Sequence, residues 1–257
     1  MRVRDDLGEE LDLAVPPARV VSLVPSLTES LAATGTLVGA TNWCTWPPDL
    51  DVVRARGTKN PDVPASLALR PDLVVVNKEE NRQVDVCRLR ASGARVWVTV
   101  IETVPEAVTS LERLFTEALG RPVPQWLGRA RELWLGDVPP VVGTVAVPIW
   151  RDPWMVVGRS TFTGDLLRRV GLGNVFADSE ERYPHVPVEE IDGAGADLVL
   201  LPDEPYVFAA DDGPQAFRRA LTHLISGRLL TWYGPSLVQA HEVLTGIAAE
   251  VGAARPS

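Results

Sequence analysis

RVVSLVPSLTESLAATG, residues 19–35, decides the fold class. Val20-Val21-Ser22-Leu23-Val24 is an apolar, β-branched run and predicts a buried strand. Ser26-Leu27-Thr28-Glu29 has the S-x-x-E spacing of a capping box, so a helix is expected from Ser26, with Leu27, Leu31 and Ala32 on one face. Gly35 is a good left-handed terminator for it. Residues 37–41 then read as a second strand. The same rhythm repeats downstream. A short helix starts near Pro64, Leu73-Val74-Val75-Val76 predicts a strand buried on both faces, residues 82–91 a helix closed by Gly93, and residues 95–99 another strand. Fully apolar strands alternating with helices predict an α/β lobe with a largely parallel sheet. The segment before Pro16-Pro17 reads as a short strand pair or an extended lead-in.

Thr103-Val104-Pro105-Glu106 is a second capping-box pattern, and apolar residues recur from Val108 to Leu119 before Gly120. At 1.5 Å per residue this helix is about 24 Å long, enough to cross between two lobes. Residues 125–135 predict a further helix. A second α/β lobe follows, with strands expected at 141–147, 155–157, 198–201 and 229–231. Its helices are expected at 161–170 (capped by Ser160-Thr161), 214–226 and 235–251, and residues 255–257 as a frayed tail. The expected organisation is an N-terminal lobe over 1–102, a linking helix over 103–120 and a C-terminal lobe over 121–257.

Composition narrows the function. The 257 residues are 46% hydrophobic and 23% charged, an ordinary globular mixture, and no run is long and apolar enough to span a bilayer. The net charge of −9, with no basic stripe, excludes a nucleic-acid binder. Two cysteines, Cys44 and Cys87, form neither a disulfide framework nor a zinc pattern. His185, His223 and His241 are scattered, which argues against a metal site built of imidazole. Residues 1–6, MRVRDD, lead into a polar stretch without the apolar core of a signal peptide. The expectation is a cytoplasmic protein; the alternative is an extracytoplasmic one whose start lies elsewhere or whose chain has been trimmed.

Ligands of open α/β sheets sit beyond the carboxyl ends of strands. The residues there are Trp43, Cys44 and Trp46; Lys59 in TKNPD; Lys78, Glu79 and Glu80; then Trp150, Arg151 and Trp154; Asp203, Glu204 and Tyr206; and Trp232 and Tyr233. Eight of the sixteen aromatic residues are Trp, and five of the eight fall in these loops. Tryptophans at loop mouths suit flat apolar walls for a bulky ligand; the bland alternative is that they plug the gap between lobes. Trp97, Trp126 and Trp134 read as core. Lys59 and Lys78 are the two lysines of the chain. Enzyme motifs such as G-x-x-x-x-G-K-[ST], G-x-S-x-G and H-E-x-x-H are missing. Glu79, Glu80, Asp203 and Glu204 are the available acid/base candidates, and such carboxylates are usually solvated rim groups. Cys44 is a candidate thiol without a placed base.

RVVSLVPSLTESLAATG, VGATNWCTWPPD, GTKNPD and LRPDLVVVNKEENRQVDVCRLRASGARVWV, with WRDPWMVVGRSTFTGDLLRRVGLGNVF, RYPHVPVEEI, ADLVLLPDEPYVF and WYGPSL in the second half, resemble the cobalamin-type periplasmic binding proteins of ABC importers, the class with a rigid helical backbone. The resemblance runs through nearly the whole chain. It implies two α/β lobes joined by one long helix, and a non-catalytic protein that clamps a ligand between them. The implied ligand is a bulky metal chelate: a corrinoid first, with haem or a ferric siderophore as alternatives. No cofactor is required for folding, and no metal is bound by the protein itself. Trp43, Trp46, Trp150, Trp154 and Trp232, with Tyr206 and Tyr233, become the aromatic wall, and Lys59, Lys78, Glu80 and Arg151 the polar contacts. The resemblance also implies a permease gripped by one glutamate from each lobe. Glu79 or Glu80 stands where the first belongs; TWYGPS, residues 231–236, holds no acid where the second belongs. The rivals from other classes are a cytosolic enzyme acting on such a cofactor and a ligand-free protein-interaction module. A buried cleft carboxylate with a raised pKa would favour the enzyme.

Overall fold

The computed structural model describes residues 2–13 and 16–254, so the expected tail at 255–257 lies outside the described residues. Contacts divide the chain into two compact units. The first comprises Met1–Ile101, Pro105–Arg131 and Tyr233–Pro235, the second Glu102–Val104, Glu132–Trp232 and Ser236–Ser257.

The first unit opens with an antiparallel strand pair, β1 (Arg2–Arg4) and β2 (Glu10–Asp12), turned by Asp5, whose Oδ1 accepts from the backbone N–H of Leu7 and Glu9. Then come β3 (Val20–Ser22), α1 (Pro25–Ala32), β4 (Leu37–Ala40), β5 (Val53–Arg54), α2 (Val63–Ala68), β6 (Leu73–Asn77), α3 (Gln83–Ala91) and β7 (Val96–Thr99). The five strands β5-β4-β3-β6-β7 form one all-parallel sheet with β3 central. Every residue of β3, β6 and β7 is buried, as a parallel sheet covered on both faces requires. Val21, Leu23, Val74, Val76, Leu89 and Val98 form the core here, each contributing about 1.5–3 kcal/mol by leaving water. Helix α4 (Val104–Arg113) runs without a break into a π turn, Leu114–Ala118, so the expected long helix is present. Asp6 holds it, accepting from Ser110 Oγ and Arg113 Nη1. Helix α5 is Gln125–Trp134.

One expectation in this unit fails. Helix α1 starts at Pro25 with Val24 as its cap residue and no side-chain cap bond, so Ser26 is not the cap. Proline's fixed φ suits the first helical position and moves the start one residue back.

The second unit contains β8 (Gly143–Ala146), the antiparallel hairpin β9 (Pro148–Trp150) and β10 (Met155–Val156), α6 (Phe162–Arg168), β11 (Leu172–Asn174), α7 (Val188–Gly193), β12 (Leu198–Pro202), β13 (Thr222–Ile225), α8 (Arg228–Thr231) and α9 (Ser236–Ala254). Its four-stranded sheet, β11-β8-β12-β13, is again all parallel. Thr161 caps α6 as expected, accepting from the Gly164 N–H at 3.1 Å. Two expectations reverse. Residues 214–226 hold a single 3-10 turn, Pro214–Ala216, followed by β13 rather than a helix. The Asp192 carboxylate gathers the N–H groups of Arg218, Arg219 and Ala220, which stops helix formation and aims the chain alongside β12. Residues 229–231, expected as a strand, lie in α8.

Candidate functional site

In the first unit, the loop after β4 carries Trp43 and Trp46. Arg54 straps it from beneath, donating through Nη1 to the carbonyls of Thr41 and Cys44 and through Nη2 to Leu50. Cys44 points inward and is fully buried, its Sγ 3.0 Å from Thr28 Oγ1 and 3.1 Å from Thr41 Oγ1. Burial pushes its thiol pKa up, so Cys44 is a packing group and an unreactive one. With Cys44 as the plug, the flanking indoles turn outward: Trp43 is 65% and Trp46 44% exposed. Gly57 lies close beneath Trp43, since a Cβ there would stand 3.4 Å from its Nε1.

The loop after β6 is built by two buried asparagines. Asn77 Oδ1 accepts from the N–H groups of Glu79 and Glu80, and Asn81 Oδ1 accepts from the Asn77 N–H. Asn81 Nδ2 donates to Leu23 and Thr58, tying this loop to the Gly57–Asn60 turn. Lys59 Nζ donates to the Glu79 carbonyl at 2.6 Å, whereas Lys78 is exposed. Glu80 keeps part of its surface in solvent, but its carboxylate accepts from the buried Tyr233 hydroxyl at 2.8 Å. Desolvation raises its pKa from 4.5 to about 7, against the opposing pull of the Tyr233 bond and Lys59. Burial, reinforced by the Glu80 charge, pushes the Tyr233 phenol well above its ordinary range. Glu80 and Tyr233 therefore form a buried polar lock, and Tyr233 offers no open face.

In the second unit, the β9–β10 hairpin turns through Arg151, Asp152 and Pro153, with Asp152 in the left-handed region at φ 59. Aspartate tolerates that conformation better than most residues. The turn brings Arg151 back over one of the two flanking indoles, Trp154. Trp150 is 43% exposed and meets Tyr206 edge-on at 5.7 Å. Trp154 stacks on Phe208 at 5.7 Å and meets Phe217 edge-on at 5.6 Å, so it is rooted in the core of this unit. The Arg151 guanidinium lies 5.5 Å over the Trp154 ring. Tyr206 contacts Phe208 at 4.7 Å and donates to Asp212 Oδ2 at 2.6 Å. Trp232 is buried, with 6% of its surface exposed. Asp203 is bound to the Gly227 N–H at 2.6 Å. Of the residues read as core, Trp97 and Trp134 are buried and Trp126 is partly so.

Within each unit, then, the structure brings expected residues together: Trp43 and Trp46 on one loop with Lys59 and Glu80 on its neighbours, and Trp150, Arg151, Trp154 and Tyr206 in one cluster. The residue that sequence reasoning missed is Asp212, which binds both Arg151 and Tyr206. Its signal was the Asp-Gly turn pair at 212–213, read past in favour of Asp203 and Glu204.

No family model matches the chain. The vitamin B12-binding protein of Salmonella typhimurium is 27% identical over 184 residues, covering 67% of this chain and 68% of that protein. The periplasmic vitamin B12 binding protein of Vibrio cholerae superposes with a TM-score of 0.79 at 20% identity, over 94% of this chain and all of the other. This chain is similar to the vitamin B12-binding proteins in sequence and in fold. It has the two α/β units with parallel sheets of that class. A periplasmic haem-binding protein of Pseudomonas aeruginosa shares the fold at a TM-score of 0.74 and 23% identity, over 93% of this chain and 94% of the other. The relatives are binding proteins. They also correct one expectation: the matched structures are periplasmic proteins, which points to an extracytoplasmic place and overturns the cytoplasmic reading. That reading rested on where the given sequence begins, which decides nothing about compartment. Among the described residues, no helix is long and apolar enough to cross a membrane.

Proposed function

We propose that this chain is a non-catalytic binding protein for a bulky metal chelate, a corrinoid in the first place. The observation that carries the reading is the set of exposed strand-end indoles: Trp43 and Trp46 on the Arg54-strapped loop, Trp150 on the β9–β10 hairpin. Large apolar rings on a braced loop are costly to leave in water and suit a flat amphipathic ligand, which covers them at little loss of conformational entropy. Trp154, Tyr206 and Arg151 flank Trp150 within the second unit, and Lys59 and Lys78 are the polar contacts offered by the first. Relatives named for vitamin B12 support the corrinoid; haem-binding neighbours of the same fold keep haem or a ferric siderophore as the alternative ligand. A permease partner needs an acid that residues 231–236 lack, so the reading stops at the small-molecule ligand.

The test is titration of the chain with cyanocobalamin, cobinamide and haem, followed by tryptophan fluorescence. Saturable quenching by a corrinoid in the micromolar range is expected, and alanine at Trp43, Trp46 or Trp150 weakens it. No quenching by any of the three removes the reading.

One observation favours a second reading, an enzyme acting on such a cofactor. Glu80, with its pKa near 7, is the kind of acid such chemistry uses. Its carboxylate is engaged by Tyr233, whose raised pKa leaves the phenol protonated, which fits a lock better than a proton shuttle. A corrinoid spectrum that changes on standing with the protein, and stays constant with Glu80→Gln, would favour the enzyme.

A further inference from the structure

Arg151 follows Trp150 in the β9–β10 turn and lies over Trp154, where an open guanidinium would be a natural fork for a carboxylate. It is not open. Its Nη1 donates to Asp212 Oδ1, Asp152 lies at ion-pair distance, 3.4 Å from Nε, and the charged plane rests over Trp154. Asp212 is itself fixed twice. Its side chain accepts from the Tyr206 hydroxyl, and its backbone closes a tight turn with Ala209 through bonds of 2.9 and 3.1 Å. Gly213 continues that turn at φ 130, where a Cβ would stand 2.7 Å from Phe208. Around one cation there are thus two anions, and the nearer one is braced by a phenol and a turn. An incoming carboxylate has to displace Asp212 or face it unpaired. An amide or a bare ring face meets neither cost.

We infer that Asp212 sets the charge selectivity of this surface: by holding Arg151 neutralised, it favours an uncharged, amide-bearing metal chelate over one that carries carboxylates. The assignment rests on the reading of the chain as a metal-chelate binder, and it adds a residue that acts through Arg151 rather than by touching the ligand. Selectivity here comes from a cost imposed on the wrong ligand as well as from a gain with the right one.

The experiment compares cyanocobalamin, which has amide side chains and no net charge, with haem, which has two propionates, on the whole chain. The unaltered protein should bind cyanocobalamin more tightly. Asp212→Asn should raise haem affinity on the order of tenfold and leave cyanocobalamin within about twofold. Arg151→Gln added to Asp212→Asn should abolish that gain, and Asp212→Glu should keep the original ratio. Equal weakening of both ligands by Asp212→Asn, or an unchanged ratio, overturns the assignment while leaving the metal-chelate reading intact. Failure of the unaltered chain to bind either ligand overturns both. Should Asp212→Asn not fold, Arg151→Gln alone decides: a loss of haem affinity of about tenfold or more would mean the propionates already find an open cation at Arg151, and the assignment would be wrong.

Discussion

Replacing Glu80 by Gln should stabilise the protein at alkaline pH and leave it nearly unchanged in mild acid. Folding moves the Glu80 pKa from 4.5 to about 7, chiefly because its carboxylate is desolvated. Between those values the folded chain holds a proton that the unfolded chain has released. The folded state is then the one that binds more protons, and stability falls as pH rises through the window. At about 1.4 kcal/mol per pH step the full window is worth about 3 kcal/mol, and the residual solvent exposure of Glu80 trims this to about 2 kcal/mol. Glutamine keeps an oxygen to accept from Tyr233 and carries no proton to lose. Urea unfolding of both proteins from about pH 4.5 to pH 8 measures the difference. The curves should coincide at the acid end and diverge by about 2 kcal/mol at the other, with the variant the more stable. Parallel curves across the whole range would refute the claim that Glu80 is buried against a phenol at a cost.

Two further outcomes follow from geometry. Gly213→Ala forces a side chain onto a backbone at φ 130 and places its Cβ 2.7 Å from Phe208 Cδ1; a loss of about 2 kcal/mol by thermal or urea unfolding is expected. In the folded chain a maleimide should label exposed Cys87 quickly and buried Cys44 only on unfolding, a pattern that mass spectrometry reads directly.

The first sheet was legible because β3, β6 and β7 are buried on both faces, so burial is written into their composition as valine-rich stretches without a charged residue. Residues 214–226 were not, because their fate is settled by Asp192, a side chain from another element that takes up three backbone donors a helix would have used. Spacing in the sequence carries no trace of so distant an acceptor. The tryptophans show the same division. Their position at strand ends was readable, but whether a loop residue turns out or in depends on what plugs the loop. Cys44 and the Arg54 strap turn Trp43 and Trp46 outward, whereas Trp232 and Tyr233 are packed away. Asp212 escaped notice because its importance comes from Arg151 and Tyr206, respectively 61 and 6 positions before it.

Tyr233–Pro235 belongs to the first unit although the residues on either side of it belong to the second. On the ribosome, everything else in the first unit has emerged by Arg131, yet Glu80 waits for its phenol until about a hundred more residues have been made. A gene fragment ending after α5 would encode a sheet with all five strands and an acid lacking its donor. For anyone dissecting this molecule, the last piece of the first half is found near the end of the chain.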